Sequence, residues 1–175
     1  YSVNGNTIEE KAFIPSTKSF AIAEDELGKM VYYTHSKGML YVLAEGTLYQ
    51  VDLEKDEQTV LAENLEEGQY AVSDDGQLMA YQADGSLNTA TQIQVMNLKT
   101  GDNYTVNADD GQAVRPLGFV NGDFIYGKLR PEDAGHSAAG EEMTPMYELV
   151  ICNEENASVA SYSFADQNIY ITDIL

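Results

Sequence analysis

An internal period of 45 residues constrains this chain more than any other feature. Leu48-Tyr49-Gln50-Val51-Asp52-Leu53 recurs as Ile93-Gln94-Val95-Met96-Asn97-Leu98, and the polar stretch Glu54-Lys55-Asp56-Glu57 falls on Lys99-Thr100-Gly101-Asp102. Ala80-Tyr81 returns at the same spacing as Ile125-Tyr126, and Ile169-Tyr170 follows 44 residues later. Tyr147-Glu148-Leu149-Val150-Ile151 lies 98 residues after the first copy, two periods plus eight, and the polar stretch from Arg130 to Pro145 accommodates the excess. A period of this length marks a unit that cannot bury its apolar face alone and stacks on its neighbours.

Within the periods, short runs rich in Tyr, Val, Ile and Thr alternate with turn stretches, in the second and third copies Asp-Gly, Asn-Gly or Thr-Gly, the pattern of antiparallel strands joined by hairpins. Strands are predicted near 31–34, 39–44, 47–53 and 58–63, then at 69–73, 78–83, 91–98 and 103–107, and last at 113–120, 123–129, 146–152 and 158–164. Residues 54–64 are the best helix candidate, but they align with a turn and a strand in the next copy. The chain therefore reads as all-β. Four strands every 40 to 50 residues is the arrangement of a β-propeller blade. The expected organisation has strands of a partial blade in 1–30, near 7–13 and 18–23. Blades follow at 31–66, 67–110 and 111–166, the last with an insertion at 130–145, and 167–175 supplies the first strand of another. Three blades and parts of others make an incomplete ring, since closed rings have about four to eight.

Val72-Ser73-Asp74-Asp75-Gly76-Gln77-Leu78-Met79-Ala80-Tyr81 resembles the core F-S-P-D-G-K-x-L-A-Y of TolB-type, WD-like β-propeller repeats. The following strand of that pattern, I-Y-V-M-D-L-x-T-G, is matched by Ile93-Gln94-Val95-Met96-Asn97-Leu98-Lys99-Thr100-Gly101. The third copy, from Pro116 to Tyr126, keeps the skeleton with Asn121-Gly122 at the turn, and the first copy is looser. The resemblance covers about 30–164 and implies a propeller fold. It implies no active-site residue, because the family's Asp-Gly is a turn element. Such repeats occur in exported bacterial scaffolds and in the lid-like propellers of prolyl-oligopeptidase-type peptidases.

Charge narrows the partners. Nine Lys+Arg stand against 29 Asp+Glu, a formal net charge of −20, with 43% hydrophobic residues. That apolar fraction is too high for a disordered acidic tail, and the negative field opposes nucleic acid and anionic lipid. No run of 18 apolar residues appears, so no membrane insertion is expected within this segment. One Cys excludes a disulfide framework or a Cys-based zinc site. The start at Tyr1 and the apolar finish at Ile171-Thr172-Asp173-Ile174-Leu175 read as cuts inside a longer polypeptide.

The motifs that carry chemistry elsewhere each have a plainer reading here. Gly135-His136-Ser137-Ala138-Ala139-Gly140 approximates a nucleophile elbow, but it sits in the polar insertion with no strand leading in, and reads as a flexible loop. Asp52, Glu54, Asp56, Gln58 and Glu63 have oxygens near calcium-loop spacing, but Glu57 occupies the position that requires Gly. Asp74-Asp75 and Asp109-Asp110, each before Gly, read as turns. His35 and His136 lack further zinc ligands. Cys152 reads as a buried small hydrophobe. Tyr32, Tyr33, Tyr41, Tyr49, Tyr81, Tyr126, Tyr147 and Tyr170 fall on strands, where most pack between blades and a minority is free to line a carbohydrate or peptide groove. The 130–145 insertion is either a contact loop or solvent-exposed slack.

These readings assign no catalytic, cofactor-binding or metal residue and no cofactor. The expected role is a non-enzymatic binding or scaffold module of an exported, extracytoplasmic bacterial propeller protein. Its partner is another protein or the missing blades. Unpaired strand edges favour self-association or poor solubility. The alternatives are a gating propeller beside a hydrolase or peptidase domain, and a calcium- or glycan-binding propeller.

Overall fold

The structure, a computed structural model, describes residues 2–4, 7–19, 30–136, 140, 142–164 and 171. Its described strands are β1 (Ser2–Asn4), β2 (Thr7–Glu9), β3 (Val31–Thr34), β4 (Met39–Ala44), β5 (Thr47–Asp52), β6 (Glu57–Ala62), β7 (Tyr70–Val72) and β8 (Leu78–Gln82). There follow β9 (Gln92–Asn97), β10 (Asn103–Asn107), β11 (Ala113–Val120), β12 (Asp123–Leu129), β13 (Gly135–His136), β14 (Glu142–Met143), β15 (Met146–Cys152) and β16 (Ser158–Ser163). The sole described helical turn is a 3-10 turn at Pro131–Asp133. Three four-stranded antiparallel sheets result, ordered β3-β4-β5-β6, β7-β8-β9-β10 and β11-β12-β15-β16. The chain is all-β and built of propeller-type blades, and within 54–64 residues 57–62 form β6.

The chain divides into two compact units, Tyr1–Leu65 and Glu66–Leu175. In the first, the buried side chains Tyr41, Leu43, Leu48 and Val51 come from the two central strands of the sheet. Outer strand β6 is mostly exposed. The N-terminal residues depart from expectation. Ser2–Asn4 and Thr7–Glu9 form a small hairpin, 10–19 carries no strand, and 20–23 lies outside the described residues. Side chains take the place of a strand ladder there. Lys11 Nζ pairs with Asp56 at 2.9 Å, after β5, and Glu45, before β5, accepts from Ser16 Oγ at 2.5 Å and from the amide and hydroxyl of Thr17 at 2.8 Å each. Residues 11–17 thus form a strap tied to the turns at both ends of β5.

Those donors set the ionisation of Glu45. The Ser16 hydroxyl and then the Thr17 hydroxyl and amide hold its carboxyl at about 2, against an ordinary 4.5. A depressed folded value means the contribution is whole above the unfolded value and disappears as pH falls through the folded one. The Glu45 carboxyl resonance should titrate with a midpoint near 2. In the Ser16→Ala/Thr17→Ala double variant it should return towards the ordinary range, and an unchanged midpoint would show that the strap does not hold it.

In the second unit two sheets share one core. Ala80, Ile93, Val95 and Val106 of one sheet pack against Val114, Phe124, Tyr126, Val150 and Cys152 of the other. Buried polar contacts cross the same interface: Gln82 Nε2 donates to the Val114 carbonyl at 2.8 Å, and the Val114 amide donates to the Ala90 carbonyl at 2.9 Å. Gln82 Oε1 accepts from Gln69 Nε2 at 3.1 Å, so the buried amide is used at both ends.

The described residues of the insertion include a 3-10 turn and a short strand pair. Pro131 starts the 3-10 turn, where its fixed φ and missing N–H are tolerated, and Gly135 and His136 pair with Met143 and Glu142. Of the expected further strand at 167–175 only Ile171 is described, bridged to Met146. Tyr170 and Ser137–Ala139 lie outside the described residues.

Candidate functional site

In a four-stranded meander the first and third turns share one end. For the second unit these are 73–77 and 98–102 in one sheet, and 121–122 and 153–157 in the other. Local side chains build them. Asp75 accepts from the Gln77 amide at 3.0 Å and the Ser73 hydroxyl at 2.7 Å, which lowers its ionisation range. Asn97 Oδ1 accepts from the amides of Lys99 and Thr100 at 3.1 and 3.0 Å. Asn153 Oδ1 does the same for Glu155 and Ala157 at 3.1 and 2.9 Å. In the first unit Asp52 Oδ1 serves Glu54 and Lys55, both at 3.0 Å. An Asx turn thus closes each third hairpin, with a side-chain oxygen standing in for a backbone carbonyl.

Between the two sheets, at this end, the turns leave a groove of about 270 Å³. Leu78, Val95, Tyr104 and Phe119 form its apolar wall, and Asp102, Glu154 and Glu155 stand among the lining residues contributed by the turns. Tyr104 is the cross-strand partner of Val95 on β10 and β9. Phe119 rests on its partner Phe124, ring centroids 5.3 Å apart. Burial, followed by the nearby Cys152 and Asp123, pushes the Tyr104 phenol above its ordinary range, so the ring is neutral at physiological pH. Asn156 Nδ2 donates to the Thr105 carbonyl at 3.3 Å, tying the 153–157 turn to β10 across the groove.

The acidic groups singled out in the sequence lie elsewhere and several are already engaged. Asp52 pairs with Lys55 at 2.8 Å, Asp56 with Lys11 at 2.9 Å and Asp109 with Lys128 at 3.1 Å. Asp75 serves its own turn. The calcium-like spacing of 52–63 becomes a hairpin with β6. Among the described residues no three His, Cys, Asp or Glu side chains are grouped to hold a metal. His35 is exposed and meets the Tyr33 ring edge-on at 6.0 Å, and His136 lies on β13. Cys152 is buried, and burial raises its thiol. Tyr41, Tyr81, Tyr126 and Tyr147 are buried, whereas Tyr33 is exposed. Sequence reasoning singled out neither Tyr104 nor Phe119 nor the Glu154-Glu155 pair. Their meeting depends on the packing of two sheets, which no local pattern announces.

No protein-family model and no curated protein matches the chain. Among solved structures it is similar to BamB from Moraxella catarrhalis, at 10% identity and a TM-score of 0.38 over 78% of this chain and 34% of that one. It is also similar to U3-55K, at 12% identity and a TM-score of 0.36 over 77% of this chain and 38% of that one. The chain spans well under half the length of either structure. Likeness this slight says nothing about activity. Among the described residues no helix is long and apolar enough to cross a membrane.

Proposed function

We propose that the chain is a non-catalytic binding or scaffold module, part of a larger exported propeller protein, which engages a protein partner at the turn end of its second unit. The observation that carries this reading is the groove itself: an apolar aromatic wall flanked by carboxylates, supported on two rigid sheets that share a core. Loops and turns on a rigid scaffold are where recognition groups are free to vary without cost to the fold. The extracytoplasmic placement rests on the repeat resemblance, the charge of −20 and the presence of a single Cys. The outermost strands β6 and β16 expose Val60, Val159 and Tyr162, and such edges suit pairing with further blades or a second copy.

A photo-cross-linking residue in place of Lys99, beside the groove, tests the reading against one in place of Asp110, on the link at the other end of the sheets. In cells that make the protein, position 99 should yield discrete protein adducts that position 110 does not. Equal patterns at both positions, or none at either, would overturn the assignment of this end as the binding end.

A further inference from the structure

Resting on that reading, the chemistry of the groove names its occupant. We propose that the groove seats a single arginine or lysine side chain presented by a basic segment of a partner protein, held between the Tyr104 and Phe119 rings and the carboxylates of Asp102, Glu154 and Glu155. Three observations converge on this occupant. The volume, about 270 Å³, falls below the roughly 300–1,000 Å³ of sites for small organic ligands, and suits one long side chain. The wall is aromatic and uncharged, and cations gain from lying over ring faces. The carboxylates are uncommitted: among the described residues no basic side chain pairs with any of the three.

Complementarity of this kind differs from the general attraction of an acidic protein for cations. The diffuse field of −20 acts on any basic peptide and is screened by salt over about 10 Å at 0.1 M. The groove adds the Tyr104 and Phe119 rings at one place. A guanidinium or ammonium there would replace water with carboxylates on the turn side and π-density on the wall side, while its alkyl stem lies along Leu78 and Val95.

The test is an NMR titration of the whole chain with the blocked peptide Gly-Ser-Arg-Ser-Gly and with its neutral citrulline counterpart. Shifts should concentrate at the amides of Thr100, Asn103 and Gly122, and only the arginine peptide should produce them. The triple variant Asp102→Asn/Glu154→Gln/Glu155→Gln should weaken binding about tenfold, and Phe119→Leu about three- to fivefold. The control triple Glu63→Gln/Glu67→Gln/Asp110→Asn removes as much charge elsewhere and should change affinity less than twofold. Equal losses in both triples would reduce the effect to the general field and overturn the proposal. Equal binding of the citrulline peptide, or no arginine binding at millimolar peptide, would overturn it as well. If cross-links at position 99 persisted in that last case, the turn end would remain the binding end, with an occupant of other chemistry.

Discussion

Phe124→Ala lowers the stability of the second unit by about 3–5 kcal/mol, the range for deleting a buried aromatic ring. Phe124 is 1% exposed and is among the largest fully buried side chains. It lies on β12 in the core that joins two sheets, with the Phe119 ring at 5.3 Å and the Tyr126 ring stacked at 5.8 Å. The neighbours are strand residues fixed by backbone ladders, so the walls of the cavity collapse little and the cost falls towards the upper part of the range. Phe124→Leu keeps most of the volume and should cost less, on the order of 1.5 kcal/mol. Urea denaturation followed by tyrosine fluorescence reads both values, with the midpoint falling and the slope unchanged. A loss below about 1 kcal/mol for the alanine variant would mean that the two sheets do not depend on this ring. Loss of the core would also loosen Phe119, and with it the groove wall.

The strands were legible because their boundaries are local. Asp74-Asp75-Gly76, Lys99-Thr100-Gly101-Asp102 and Asn121-Gly122 announce turns by residue type alone. The structure places Gly76, Gly101, Asn121 and Gly122 at positive φ, as that chemistry requires. A 45-residue period then carried one unit's reading to the next. The strap was not legible, because Lys11, Ser16 and Thr17 hold it through Asp56 and Glu45. Such long-range side-chain pairing leaves no periodic trace, and a strand reading was the default. The groove escaped for a related reason. Tyr104, Phe119 and Glu154 sit on different hairpins of two sheets. Acid-rich stretches stand out in the sequence at 52–57 and 74–75, where Asp52 and Asp75 close turns and Asp52 and Asp56 pair with lysines. Carboxylates beside an aromatic wall are distinguished only by what the fold brings near them.

The second large effect belongs to the first unit, at Gly46. Glu45 and Gly46 form the two-residue turn between β4 and β5 with φ of 49° and 73°, the conformation that suits the twist of a tight hairpin. A Cβ on Gly46 would lie 2.6 Å from the Leu65 carbonyl oxygen and 3.2 Å from its nitrogen, and both are backbone atoms with no rotamer to escape through. The Leu65 amide also donates to the Gly46 carbonyl at 2.8 Å. Leu65 itself is buried. Gly46→Ala therefore combines three costs: a side chain at positive φ, a backbone displacement, and the strain or loss of that hydrogen bond. Together they come to roughly 3 kcal/mol. Gly111 separates the causes, since its φ is 75° and a Cβ there meets nothing within 4 Å. Gly111→Ala should cost only the backbone part, about 1–2 kcal/mol. Native-state hydrogen exchange of the β4–β5 amides for the first variant, and of the β11–β12 amides for the second, measures each in its own unit. Equal losses would mean that Leu65 gives way freely. The larger loss at Gly46 would show that Leu65 locks the hairpin whose Glu45 holds the strap.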